Sequence, residues 1–209
     1  MSKLLNVSSS PHVRCGVSTK NLMYDVAIAM LPATIWGVMQ FGIYSLIVVV
    51  ATVLSCVLSE YLFETLMHKP VTISDGSALV TGMILGLNMP PAIPLWMPIL
   101  GGIFAIIVVK QLYGGLGQNW MNPALAARCF MLISFAQAMT KFTDPVTDAV
   151  ASATPLAAIK AGDTYDLAAM FIGKIPGTIG EVSVIALLIG AAYLLVKKVI
   201  TIRIPAAYI

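Results

Sequence analysis

Two apolar runs, residues 23–41 and 43–67, stand back to back with only Gly42 and its neighbours between them. Each is close to or above the ~20 residues that carry a helix across the hydrocarbon of a bilayer. So short a connection makes the pair an antiparallel helical hairpin. The composition agrees: 59% of the chain is apolar, 10% is charged and the mean hydropathy is +0.93. A soluble domain carries roughly 25% charged residues, so this chain reads as an integral membrane protein. A net charge of +3, with lysines and arginines scattered along the sequence, excludes nucleic acid as a partner.

The remaining segments follow in order. Residues 1–22 form a polar arm with Lys3, Arg14 and Lys20, broken by Pro11. An arm of this polarity ahead of the first apolar run argues against a cleaved signal peptide. Pro32 lies inside the first span, where neighbouring helices can tolerate it. Residues 72–89 are short for a span, contain three glycines and end in Pro90-Pro91. They read as a short or broken helix capped by Ser74 or Asp75. A span over 95–112 follows, and then a helix over 122–140 with Asn122 as cap and Pro123 in the first turn. Residues 23–140 thus hold five membrane segments. Residues 141–180 form a polar loop too long for a mere connection. A sixth span covers about 181–196, and a new apolar run opens at Ile204. The sequence stops at Ile209 inside that run, which suggests part of a longer chain.

With the N-terminus inside, eight cations (Lys3, Arg14, Lys20, Lys69, Lys110, Lys197, Lys198 and Arg203) fall on the inner side. Three (Lys141, Lys160 and Lys174) fall outside. The positive-inside bias selects this orientation, with the 141–180 loop extracytoplasmic.

Several groups could carry chemistry. Thr154, followed by Pro155, is a hydroxyl in the long loop and a possible attachment point; alone it is also an ordinary loop hydroxyl. In the stretch 114–123, glycines allow close backbone approach. Asn119 and Asn122, flanking Trp120, offer donors and acceptors to a flat heteroaromatic edge. The same stretch can be a tight turn with a capping asparagine. Glu60 and Glu64, four apart on one helical face, suit an ion path or pairing with Lys69 or Arg128. Asp75 suits a helix cap better than a cation ligand. Gly177 and Gly180 lie in a glycine-rich lead-in to a helix, where backbone amides can hold a phosphate or simply turn the chain. Cys15, Cys56 and Cys129 are far apart, which argues against an iron–sulfur or zinc site. Cys56 and Cys129, inside apolar runs, read as packing thiols. His12 and His68 both belong near the inner surface, which argues against haem.

Together these stretches resemble the NqrB/RnfD family of membrane flavoproteins. The resemblance covers nearly the whole chain: Ser10-Pro11-His12, Asp75-Gly76-Ser77 through Pro90-Pro91, Gly114 through Ala124, Ser152-Ala153-Thr154-Pro155-Leu156, and Ile175 through Ser183. The short arm is closer to the Rnf branch than to the sodium-pumping NADH:quinone reductase branch. The resemblance implies FMN joined to Thr154 through a phosphoester bond, attached by a separate flavin transferase outside the cytoplasm. In the attachment pattern Asp148, Ala153 and Thr154 match, while Ala151 replaces the hydroxyl residue and Ser152 the glycine. It also implies a second, non-covalent flavin (riboflavin or FMN), with Asn119 and Asn122 matching its motif. The implied fold is all-α, a polytopic bundle of inverted five-helix repeats resembling urea transporters. This chain would hold the first repeat and the start of the second.

The implied role is a membrane electron-transfer subunit of a ferredoxin:NAD⁺ oxidoreductase that moves Na⁺ or H⁺ across a bacterial or archaeal cell membrane. Its partners would be RnfA, RnfB, RnfC, RnfE and above all the FMN-carrying RnfG, with membrane lipid around it. Two other roles fit the same residues: a transporter or channel on this scaffold, with Asp75, Glu60 and Glu64 lining a path, or a structural anchor with Thr154 unmodified. The B subunit of a Na⁺-translocating NADH:quinone reductase is a further alternative.

Overall fold

In a computed structural model the described residues are 18–143, 150–151, 159–160 and 167–208. The fold is helical. Helix α1, Thr19–Phe41, is capped by Ser18, whose hydroxyl accepts from the Asn21 amide. It runs through Pro32 without a break and ends at Gly42. There φ of +82° turns the chain directly into α2, Ile43–Leu66, a conformation that glycine adopts without strain. The expected hairpin is therefore present, and the expected turn residue makes it.

Helix α2 has the pattern of a membrane helix surrounded by protein on one side only. Its buried stripe includes Ser45, Thr52, Ser55, Ser59, Glu60 and Glu64, while Ile47, Val50, Leu54, Leu58 and Leu62 face outward. Polar groups inside and large apolar groups outside suit lipid as the solvent. The buried hydroxyls are satisfied locally or across helices: Thr52 donates to the Val48 carbonyl (2.7 Å) and Ser55 to the Ile99 carbonyl (2.7 Å).

The short third segment is as expected. A 3₁₀ turn, Ile73–Asp75, leads into α3, Ser77–Leu87. Asp75 rather than Ser74 serves the helix start, accepting from the Ser77 amide (2.8 Å) and hydroxyl (2.6 Å). Helix α3 runs antiparallel to α2 and lies against its backbone. A Cβ on Gly82 would sit 2.6 Å from Val53 Cα, and one on Gly86 3.1 Å from Val49 Cα. Only glycine permits so close an approach.

The span expected over 95–112 is a composite: α4, Trp96–Ile103, a π-helical segment Phe104–Lys110, and a 3₁₀ turn Gln111–Tyr113. Helix α5, Pro123–Ser134, is capped by Asn122 as expected. It stops at Phe135, before the short α6, Ala136–Met139. The expected fifth segment is thus broken, and the break sets the Phe135 ring edge-on against Trp96 at 5.2 Å. The long loop contains a two-residue antiparallel ribbon, with β1 (Phe142–Thr143) pairing β2 (Val150–Ala151), and α7, Leu167–Ile172. The sixth segment begins later than expected, as α8, Val184–Val196, with Ser183 as cap. A last short helix, α9, spans Arg203–Tyr208.

Among the described residues three helical stretches are long and apolar enough to cross a membrane: Thr19–Phe41, Ile43–Leu66 and Trp96–Tyr113. Helices α3, α5 and α8 are shorter. At ~1.5 Å per residue they fall well short of a ~30 Å core. Contacts between residues distant in sequence define two ends. At one end Asp25 meets Tyr193, Gly76 lies against Met23 and Tyr24, and Lys110 meets Glu60. At the other Tyr44 donates to the Ile93 carbonyl, Trp96 meets Phe135, and Ile179 packs on Gly37. The turns after α2 and α4 therefore share the first end, and the ribbon lies beyond the second.

Candidate functional site

Thr154, Asp148, Ser152 and Ala153 lie outside the described residues. The described strand β2, Val150–Ala151, lies between Asp148 and Ser152 in sequence. Thr143 opposes Val150 and Phe142 opposes Ala151. Near this ribbon is a cleft of about 680 Å³, with walls that include Met97, Phe135, Gln137 and Lys141. Lys141 is the residue before β1.

At the opposite end the stretch 114–122 folds as successive tight turns, with Gly114, Gly115 and Gly117 all at positive φ. Gly114 and Gly115 are bonded back to the carbonyls of Gln111 (3.2 Å) and Lys110 (3.1 Å). A cleft of about 430 Å³ opens here between the π segment and α5, bordered by Tyr113, Trp120, Asn122 and Cys129. Asn122 Oδ1 accepts from the amides of Ala124 (3.0 Å) and Leu125 (3.3 Å). Its acceptor is thus spent on the cap and its side-chain NH₂ remains to donate. Asn119 presents the complement, a buried Oδ1 with no partner among the described residues. Asn119 is not among the residues that border this cleft, so only the Asn122 NH₂ is placed to donate to a group bound there. Cys129, expected as a packing thiol, is exposed at this cleft, whereas Cys56 is buried as expected.

The carboxylates inside α2 do not make the expected ion pairs. Neither carboxylate is hydrogen-bonded to Lys69 or Arg128, and Lys69 meets Glu64 only through its amide, which donates to the Glu64 carbonyl (2.8 Å). Glu60 Oε1 receives Lys110 Nζ at 2.5 Å and Gln111 Nε2 at 2.9 Å. Glu64 Oε1 receives Gln111 Nε2 at 3.1 Å and the Thr72 hydroxyl, while its Oε2 accepts from the Thr72 amide at 2.9 Å. Lys110 also donates to the Ser77 hydroxyl at 2.6 Å, which donates in turn to Asp75. Glu60, Lys110, Glu64 and Gln111 are all buried. Arg128 instead donates to Asn88 Oδ1 at 2.7 Å. His68 is exposed in the turn after α2. Among the described residues no three His, Cys, Asp or Glu groups converge as a metal site.

Gly177 and Gly180 sit in a loop docked against the bundle. The amides of Ile179 and Gly180 donate to the carbonyls of Met89 (3.1 Å) and Leu87 (2.8 Å). The Thr178 amide donates to Glu181 Oε1 at 3.2 Å. A phosphate here would have to displace these bonds. Thr178 Oγ1 is buried without a partner among the described residues.

Sequence reasoning did not pick out Lys110 or Gln111 as site residues, nor Asn88 as the partner of Arg128. Its signal for Lys110 was a lone lysine at the end of an apolar run, read as a surface charge. It also passed over Asp25, which accepts from Tyr193 at 2.8 Å and lies 3.9 Å from Lys197.

Residues 6–209 match the NQR2, RnfD, RnfE family. The chain is 46% identical over 211 residues to the D subunit of the Na(+)-translocating ferredoxin:NAD(+) oxidoreductase complex of Acetobacterium woodii, covering 98% of this chain and 66% of that protein. It is 40% identical over 220 residues to the D subunit of the proton-translocating ferredoxin:NAD(+) oxidoreductase complex of Clostridium ljungdahlii, covering 99% and 66%. The D subunit of an ion-translocating oxidoreductase complex from Rhodobacter capsulatus is 32% identical over 234 residues, with 95% and 65% covered. The chain therefore spans just under two thirds of the length of these relatives. With a match across nearly its whole length, it belongs to the NQR2, RnfD, RnfE family.

Proposed function

We propose that the chain is part of the D subunit of an Rnf-type ferredoxin:NAD⁺ oxidoreductase, a membrane electron-transfer subunit in a redox-driven Na⁺ or H⁺ translocase. The observation that carries this reading is the match to an Rnf-type D subunit over 98% of the chain. A flavin supplies one-electron chemistry when bound. The protein's task is to place it, keep water from it and set its surroundings.

Thr154 carries FMN through its hydroxyl oxygen, with Asp148, Ser152 and Ala153 forming the attachment motif read by a flavin transferase. The ribbon Phe142–Thr143/Val150–Ala151 delivers that motif to the end bearing the 680 Å³ cleft. At the other end a second flavin lies over the apolar wall of the 430 Å³ cleft. The Asn122 NH₂ at the cleft donates to its carbonyl, and Asn119 supports it from the loop that leads into the cleft. Gly177 and Gly180 serve this reading only by packing, since Cβ on Gly180 would lie 2.7 Å from Leu87 Cβ. The scaffold is the first of two inverted, urea-transporter-like repeats with part of the second. The N-terminal end faces the cytoplasm and the Thr154 loop faces outward. RnfA, RnfB, RnfC, RnfE and RnfG complete the complex, with RnfG adjacent to Thr154.

The test is the purified complex with Thr154→Ala. Ferredoxin-dependent NAD⁺ reduction and ion uptake are lost together while the complex still assembles. Unchanged electron flow, or solute transport by the flavin-free protein alone, contradicts the reading.

A further inference from the structure

A groove of about 410 Å³ runs between α1 and α8, with Ala29, Ala33, Gly190 and Ala191 among its walls. The two helices touch where a Cβ on Gly190 would lie 2.3 Å from the Ala29 carbonyl oxygen. The small residues around that contact leave the groove open beside it. A helix is ~10 Å across, so over the ~10 Å from Leu187 to Leu194 a bound helix would need roughly 800 Å³. The groove has half that volume and suits a single hydrocarbon chain. One end is closed by the docked loop at Thr178, Gly180 and Glu181. The other reaches Leu194 and Ile200, at the end of the bundle where Tyr193 meets Asp25.

That second end is rich in cations. Lys197 and Lys198 directly follow α8 and are exposed, and Arg203 opens α9 three residues after Ile200. Lys197 stands two helical turns from Gly190, on the face of α8 that lies against α1, with its Nζ 3.9 Å from Asp25. Lys198 takes φ of +58°, the left-handed conformation that glycine usually supplies at a helix end. The Val199 amide is bonded to the Leu194 carbonyl and the Lys198 amide to that of Leu195, both at 3.0 Å. This closing turn brings Ile200 back to the groove and sets two consecutive lysines at its mouth. Glycine would make the turn without strain, so the lysine brings its charge at a conformational cost.

We infer that the groove holds one acyl chain of an anionic phospholipid, whose headgroup phosphate is bound by Lys197 and Lys198 with Arg203 beside it. A phosphate takes charge-assisted bonds from lysine and arginine, and a basic cluster at a membrane surface selects anionic headgroups over zwitterionic ones. The 3.9 Å between Lys197 and Asp25 is too long for a hydrogen bond, so this ammonium keeps its donors for the phosphate. Three cations against one facing carboxylate leave the mouth positive. The lipid joins α8 to α1 beside a contact otherwise made by small residues, a role separate from electron transfer.

The experiment uses the full-length protein, delipidated in detergent. Phosphatidylglycerol or phosphatidylcholine with the same acyl chains is added back, and binding is read by native mass spectrometry. Wild type binds one phosphatidylglycerol about twentyfold more tightly than phosphatidylcholine. The double variant Lys197→Gln/Lys198→Gly removes that preference, since each cation near an anionic surface contributes roughly a factor of five, and it leaves phosphatidylcholine binding unchanged. Its glycine suits the closing turn, so the variant folds. Ala191→Phe fills the groove and abolishes binding of both lipids. Excess inorganic phosphate does not displace the lipid, because the chain is held as well as the head. A second measurement needs no variant to fold: phosphatidylglycerol with a diazirine in its acyl chain labels α1 and α8, located by peptide mass. Equal affinity of wild type for the two lipids overturns the proposal, as does an undiminished preference in the double variant. Labelling confined to other helices also overturns it, because protein then covers the groove. Displacement by inorganic phosphate alone does so too, leaving a bare anion site.

Discussion

Replacing Gly82 by alanine tests the helix contact on which the polar cluster depends. Helices α2 and α3 meet backbone to backbone, and stepping forward four residues on α3 from Gly82 to Gly86 steps back four on α2 from Val53 to Val49. The new methyl at position 82 would stand 2.6 Å from Val53 Cα and 3.2 Å from its amide nitrogen. Carbon atoms pack at ~3.5–4.0 Å, so the helices must part by about 1 Å. Overpacking of this kind costs ~1–3 kcal/mol, and the better helix propensity of alanine returns up to ~1 kcal/mol. A net loss of about 1–2 kcal/mol is expected for Gly82→Ala. At Gly86 the gap is 3.1 Å, the required shift is smaller, and Gly86→Ala should come out near neutral. The obstacle is main-chain carbon, so trimming the neighbour with Val53→Ala should not rescue Gly82→Ala. Reversible unfolding in mixed detergent micelles, followed by circular dichroism, measures all three. Gly82→Ala as stable as wild type, or full rescue by Val53→Ala, would refute the packing argument.

Other residues give sharper single outcomes. Arg128→Ala removes the 2.7 Å bond to Asn88 and should cost ~1.5–3 kcal/mol by the same unfolding assay, with Arg128→Lys recovering only part of it. Asn122→Ala removes a helix cap and should cost ~1 kcal/mol, together with loss of non-covalent flavin on gel filtration. Asn119→Ala should lose that flavin at little cost in stability, because its buried oxygen has no partner among the described residues to forfeit. Neutralising Glu60 alone with Glu60→Leu should destabilise by ~3–5 kcal/mol by stranding Lys110, whereas the double variant Glu60→Leu/Lys110→Met should be near wild type in stability.

What was legible in the sequence was local. The turn at Gly42, the short helix after Asp75 and the cap at Asn122 with Pro123 behind it each depend on residues within a few positions of one another. The polar face of α2 was partly legible, since Glu60 and Glu64 stand four apart. Their partners were not, because Lys110 is fifty residues away in sequence and reaches Glu60 through a π turn that hydropathy cannot distinguish from α-helix. The break at Phe135 has no glycine or proline to announce it; the ring contact with Trp96 is what it makes possible. The glycines of 177–180 suggested a phosphate cradle, but the amides of Ile179 and Gly180 are bonded to carbonyls at the end of α3, a non-local docking that composition does not encode.

The central claim is a flavin on Thr154. It is tested most directly by the intact mass and in-gel fluorescence of the denatured full-length protein, co-expressed with a flavin transferase. Wild type should carry the mass and the yellow-green fluorescence of one FMN joined with loss of water, and Thr154→Ala should carry neither. Wild type without the added mass, or Thr154→Ala still fluorescent, would contradict the account.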